Sequence, residues 1–233
     1  MPELKTEFIP LLPLNNAVVL PGMVVTIPVE REEAGAAIAA AREGDGLVLL
    51  VPRVEGKYAS IGTVAKIEDS RKLPNGVDVA ILQGLHRASV GSAAAGTGPA
   101  LRVLAQPAQD VNPLTETSHV LAREYKALIE NLLELRDQSE VFQMVRNIDR
   151  PAQLSDLAGY SPDLSLEKKV EILETLDVEQ RLKKLIAWTR DTLADASLKN
   201  KIRSDVAEGM EKRQREFLLR QQMDAIKKEL GEG

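Results

Sequence analysis

The residues able to do chemistry are few. His86 and His119 are the only histidines and cysteine is absent, which excludes thiolate nucleophiles, disulfides and Cys-ligated zinc. Neither histidine stands at a ligand spacing from a second histidine or a carboxylate pair, so both read as structural or surface residues. Nothing resembling a nucleophile elbow surrounds Ser60, Ser89 or Ser92, which leaves those hydroxyls without an activating base or an oxyanion hole. No glycine-rich loop ends in Gly-Lys-Ser/Thr; the glycines of residues 91–98 lead into neither a lysine nor a helix, so no phosphate cradle is expected. Glu130 and Glu134 share one helix face, a spacing that suits a solvated surface as well as acid/base work. What remains is a module that binds or assembles.

Composition bounds what it binds. With 233 residues, 44% hydrophobic and 28% charged, the chain can bury a core as one large domain or two small ones. Aromatic residues make up only 3%, so the core rests on Leu, Val, Ile and Ala, and base-stacking platforms are scarce. A net charge of -5 argues against a general phosphate-backbone binder. The charged start and the lack of any apolar run of roughly 18 residues argue against a membrane span. Together with the missing cysteines, this suits a cytoplasmic protein.

Two textures must position any binding residues. Through about residue 107 the chain reads as β. Residues 8–14 and 18–29 are apolar runs joined by an Asn15-Asn16 turn, and Pro10, Pro13, Pro21 and Pro28 mark edges or interruptions because proline cannot donate to a ladder. An Ala-rich helix is expected over 30–42, stopped by Gly44-Asp45-Gly46, then a buried strand over 47–51. Alternating apolar residues on both sides of Pro74-Asn75-Gly76 specify a hairpin within 61–90. Residues 91–98 read as a surface loop and 101–104 as a further strand.

Beyond that the periods become helical: 115–136, 139–148, a short helix opened by Pro151, one capped by Ser165, and a very long one from Asp177 onward. The first half of this last helix carries a broad apolar face through Leu182, Leu185, Ile186 and Trp188. The second half carries only a thin stripe through Ile202, Val206, Met210, Phe217 and Met223, flanked by acid-first pairs such as Glu208 with Lys212. The expected division is 1–110 for a β-rich lobe, 111–198 for a helical bundle and 199–233 for a helical extension, an α+β architecture.

Several segments resemble the Lon ATP-dependent proteases. The stretch Leu12-Pro-Leu-Asn-Asn-Ala-Val-Val-Leu-Pro-Gly-Met-Val-Val-Thr-Ile-Pro-Val29 is similar to the opening signature of that family. Ile61-Gly-Thr-Val-Ala-Lys-Ile67, Leu73-Pro-Asn-Gly76 and Gln83-Gly-Leu-His-Arg-Ala88 follow in the family's order. The terminal helix around Gln214-Arg-Glu-Phe-Leu-Leu-Arg-Gln-Gln-Met223 resembles the helix preceding its ATPase module.

The resemblance implies a PUA-like pseudo-barrel lobe, a helical bundle and a long helix. It further implies a noncatalytic region that captures unfolded, damaged or degron-bearing proteins and helps a hexameric protease assemble. No cofactor is expected within these residues; ATP and Mg would serve an ATPase module expected beyond residue 233, as would the Ser-Lys dyad of the protease. A nucleic-acid-binding role and a purely structural oligomerisation arm are the alternatives, the first resting on fold analogy alone.

Given that role, Pro21, Gly22 and Met23 form the first expected contact, because a proline-interrupted strand leaves backbone unpaired and methionine adapts to varied partners. The competing reading places Met23 in the β core. Phe142 and Met144 form a second expected contact, against a reading as helix core. For Met210, Phe217, Leu218 and Met223 a partner helix is expected, against an ordinary exposed helix end.

Overall fold

The structure, a computed structural model, describes residues 5–29, 31–72, 74, 76–94 and 98–229, without the side chains of Ser139, Phe142, Met144 and Lys228. Among the described residues seven strands, β1 (Glu7–Leu14), β2 (Val24–Pro28), β3 (Leu47–Val54), β4 (Lys57–Tyr58), β5 (Ile61–Lys72), β6 (Asp78–Ala93) and β7 (Arg102–Pro107), precede most of the helices. Helix α1 (Glu32–Arg42) lies among them; α2 (Glu116–Leu135), α3 (Ser139–Arg146), α4 (Pro151–Asp156), a 3₁₀ turn (Leu157–Tyr160), α5 (Leu166–Glu174) and α6 (Val178–Glu229) follow.

The strand pairings return to their starting point. β1 runs antiparallel to β7, β7 to β6, β6 to β5 and β5 to β3, and β3 closes the path by pairing parallel with β1. Alternation along these strands splits the apolar residues into two groups. Ile9, Leu11, Leu49, Val51, Val64 and Val103 pack together as a core of the strands' own. Leu12, Leu50, Ala65 and Leu82 turn the other way and join Ile38 of α1 and Leu154, Ile172, Leu182 and Leu185 of the helices. One continuous core therefore spans β and helical parts.

Two expectations from the sequence need correction. Residues 18–29 do not form one strand paired to β1 through the Asn15-Asn16 turn: only Val24–Pro28 is strand, and it pairs with the first half of β6. Pro21 and the positive φ of Gly22 break the run into a turn, while Val18, Val19 and Leu20 stay buried without a ladder. Pro10 and Pro13 do stand at an interruption, as expected. The first half of β1 bonds β7 and the second half β3, so each proline sits where only one side of the strand is paired. Finally, β6 continues to Ala93, opposite Val103, into the segment read as loop. The hairpin turn at 73–76 includes Leu73 and Asn75, which lie outside the described residues.

The helices begin where side chains can satisfy free N–H groups. Thr115 Oγ1 accepts from Ser118 N at 3.0 Å, Ser165 Oγ from Lys168 N at 3.4 Å and Asp177 Oδ1 from Gln180 N at 3.0 Å. Pro151 occupies the first turn of α4, where a missing N–H costs nothing. α6 runs unbroken for 52 residues, about 78 Å at 1.5 Å per residue. Its N-terminal part buries Leu182, Leu185 and Ile186 against the other helices, contact with α2 continues through the Arg190–Glu124 pair to Asn200, whose Nδ2 donates to Leu135 O at 3.2 Å, and none of the described residues 201–229 is buried.

Candidate functional site

The Pro21-Gly22 turn is fastened to β6 by backbone. Gly22 N donates to Gly84 O and Gly84 N to Met23 O, both at 2.8 Å, while Met23 N reaches back to Leu20 O at 3.1 Å. Gly84 permits this approach, since a Cβ there would lie 2.7 Å from Leu20 O. We expect Gly84→Ala to destabilise the chain by about 1–3 kcal/mol through this clash with backbone, measured by denaturant unfolding. Unchanged stability would show that the turn can move.

Met23 itself is 5% exposed. Its sulfur accepts from Leu20 N at 3.2 Å and packs on Gly159, so the side chain fills the core and is not the adaptable surface contact expected from the sequence. Nor is the backbone here left unpaired, because the bonds to Gly84 use it. The apolar surface is made by neighbours. Val24, 52% exposed, donates its N–H to the hydroxyl of Tyr160 at 3.0 Å, and Tyr160 is itself 55% exposed. Leu85, 41% exposed, is the extra residue of a bulge between the pairs Val64↔His86 and Ala65↔Gly84, which turns it outward next to the Gly84 contact. With half-buried Pro21 and exposed Gly22 these residues form a small apolar rim where β2, β6 and the 3₁₀ turn meet.

Of the residues on this rim, the sequence points to Pro21 and Gly22 and not to Val24, Leu85 or Tyr160. A bulge leaves no mark in hydrophobic alternation, and the run Gly159-Tyr160-Ser161-Pro162 tells where a helix ends and not what lies opposite. Phe142 and Met144 belong to α3, but their side chains lie outside the described residues. Met210, Phe217, Leu218 and Met223 are all exposed on α6, together with Leu198, Ile202, Val206 and Ile226.

Behind the rim, four charges tie the lobes together. Arg87 of β6 is buried and forks onto Asp156 of α4 with bonds of 2.7 and 3.1 Å, and it also donates to the carbonyls of Leu173 (3.0 Å) and Ile172 (3.3 Å) at the end of α5. Arg181 of α6 reaches Asp110 at 2.8 Å, and Asp110 lies 3.7 Å from Arg87. Burial pushes the Asp156 carboxyl up, while the Arg87 guanidinium and, more weakly, Arg181 pull it down. The 3₁₀ turn that carries Tyr160 thus follows directly on a helix anchored through its last residue.

Two carboxylates near α5 are already occupied. The Glu-lined cleft of about 320 Å³ beside α5 has Glu171 paired with Lys184 at 2.8 Å and Glu174 accepting from both N and Oγ of Ser60 at 2.7 Å. Among the described residues no cluster of His, Asp or Glu could hold a metal ion, and no helix is long and apolar enough to cross a membrane.

The strands and the helices share one core, and exposed apolar residues lie where they meet. The sequence model of the ATP-dependent protease La (LON) substrate-binding domain matches residues 9–191. The chain belongs to this Lon family. It is 47% identical to the Lon protease of Mycolicibacterium smegmatis across 100% of its own length and 29% of that protein's. It is 34% identical to the Lon protease of Escherichia coli K12 over 96% of this chain and 30% of that protein. The chain thus spans about three-tenths of these relatives. Among solved structures, the N-terminal domain of Mycobacterium avium complex Lon protease superposes with a TM-score of 0.74 at 36% identity, covering 79% of this chain and 99% of that one. The Lon N-terminal domain protein from Xanthomonas campestris shares the fold, with a TM-score of 0.57 at 24% identity over 78% of this chain and 98% of that one.

Proposed function

We propose that this chain captures unfolded, damaged or degron-bearing proteins for a Lon-type ATP-dependent protease and contributes to assembly of its subunits, itself taking no catalytic part. The observation that carries the reading is the apolar rim of Pro21, Gly22, Val24, Leu85 and Tyr160, standing on backbone fixed by Gly84. Exposed apolar surface of this kind is what an unfolded chain, with its own apolar residues uncovered, can pair with. A rigid support under it keeps the ordering cost of binding on the client's side. Family membership in a substrate-binding domain points the same way. Phe142 and Met144 on α3 are retained as a second proposed contact.

The exposed stripe of Met210, Phe217, Leu218 and Met223 supports a partner helix from another protease subunit, in a hexamer whose ATPase module uses ATP and Mg in the cytoplasm. For the β lobe we infer a PUA-like pseudo-barrel; the closed circuit of strand pairings and the separate core of Ile9, Leu11, Leu49, Val51, Val64 and Val103 support it.

The test is an NMR titration of the labelled chain with one protein in its native and its thermally unfolded form. Shifts at Val24, Leu85 and Tyr160 are expected with the unfolded form only. Val24→Asp and Leu85→Asp, at exposed positions, should each weaken that binding about tenfold while leaving the fold intact, since desolvating a carboxylate opposes apolar contact. Equal binding by both variants would defeat the assignment to this rim.

A further inference from the structure

The ring of strands leaves a short antiparallel ribbon outside it, made of β2, the first half of β6 and the second half of β5, and among the described residues no strand pairs with either edge of this ribbon. They differ in kind. The β5 edge carries Glu68, Asp69, Arg71 and Lys72, charges of the sort that blunt an edge against further pairing. The β2 edge reads Val24-Val25-Thr26-Ile27-Pro28 and has no charge at all.

The hydrogen bonds fix which groups of β2 point outward. Gly84 N donates to Met23 O and Val29 N to Asp78 O, so the odd-numbered residues face β6. The even-numbered ones face away, as the bond from Val24 N to the Tyr160 hydroxyl requires. Thr26 therefore presents both N–H and C=O to solvent, flanked by the outward carbonyls of Val24 and Pro28. At one end the Tyr160 hydroxyl occupies the Val24 N–H, and at the other Pro28 has none to offer. The exposed side chains of Val24, Thr26 and Pro28 are uncharged along the whole edge.

We propose that β2 takes up an extended, uncharged segment of an unfolded polypeptide as an added antiparallel strand. This deepens the capture reading above and rests on it. The Thr26 N–H and C=O exchange a pair of bonds with one residue of the incoming segment, and the carbonyls of Val24 and Pro28 accept from the residues two positions to either side. The Tyr160 hydroxyl stands in for a client carbonyl at Val24 N and yields to it when the segment extends that far. Folded proteins hide both their backbone and such uncharged apolar runs, so the edge selects unfolded chains by main chain and the rim by side chains. Charged segments are disfavoured because the β2 edge offers their charges no partner.

The test compares, on the intact chain, an end-blocked eight-residue peptide alternating Thr and Val with the same peptide N-methylated at its four central residues. The methyl groups remove the central N–H donors and keep every side chain. Thr26→Pro is the matching change on the protein, removing an N–H that makes no bond within the fold. The expected result is a loss of about tenfold or more in affinity from either change, with slowed amide exchange at Thr26 on binding the unmethylated peptide. Equal affinity of the two peptides overturns strand addition, and does so even if Thr26→Pro fails to fold. A chain that still binds thermally unfolded protein but ignores methylation keeps the capture reading and loses this one. A chain that binds neither unfolded protein nor peptide loses both.

Discussion

Asp156→Ala should lower the unfolding free energy by about 3–5 kcal/mol, read from the midpoint and slope of a urea titration. The cost arises less from the lost bonds than from what they leave behind. Arg87 is buried in β6 with its guanidinium aimed at α4, and without the carboxylate its charge keeps two carbonyls and the more distant Asp110. The double variant Arg87→Met with Asp156→Leu should recover most of that loss, because burying both charges is itself expensive.

The direction of the Asp156 shift fits this. A carboxyl pushed up by burial holds its proton more tightly folded than unfolded. Its contribution is therefore most favourable below the unfolded carboxyl range and declines as pH rises through the folded value. The double variant should lack that slope. If Asp156→Ala proves as stable as the parent chain at neutral pH, the cluster does not fasten the lobes.

Removing residues 201–229 should leave the unfolding free energy within about 0.5 kcal/mol of the parent, yet weaken self-association at least about a hundredfold by analytical ultracentrifugation. None of the described residues there is buried, so the core loses nothing. Burying just two apolar side chains such as Met210 and Phe217 against a partner is worth about 1.5–3 kcal/mol each, which exceeds the hundredfold. An unaltered association constant would move the partner surface elsewhere, and a large drop in stability would mean that the helix end packs on its own chain.

Local signals carried much of the fold into the sequence. Thr115, Pro151 and Ser165 announced helix starts that the structure places at those residues, and the alternation over 61–90 located the β5–β6 hairpin. What stayed hidden was everything decided by distant partners. Val18, Val19 and Leu20 look like a strand because they are apolar and branched, but a core position without a ladder demands the same residues. Arg87 gave no warning either. An arginine within a strand becomes an anchor only when Asp156 arrives from a helix far along the chain. The rim was half legible for the same reason: the Pro-Gly turn is a local device, whereas the exposure of Leu85 depends on a register shift between two strands.

The split pairing of β1 has a kinetic consequence. Its second half can find β3 early, but its first half must wait for β7, so during synthesis the N-terminal strand stays half open until residues 102–107 have left the ribosome. Closing such a long loop is slow compared with forming the hairpin of β5 and β6. Through that delay Pro10 and Pro13, which offer no donor to a stray strand, guard a nascent segment that would otherwise be an adhesive template.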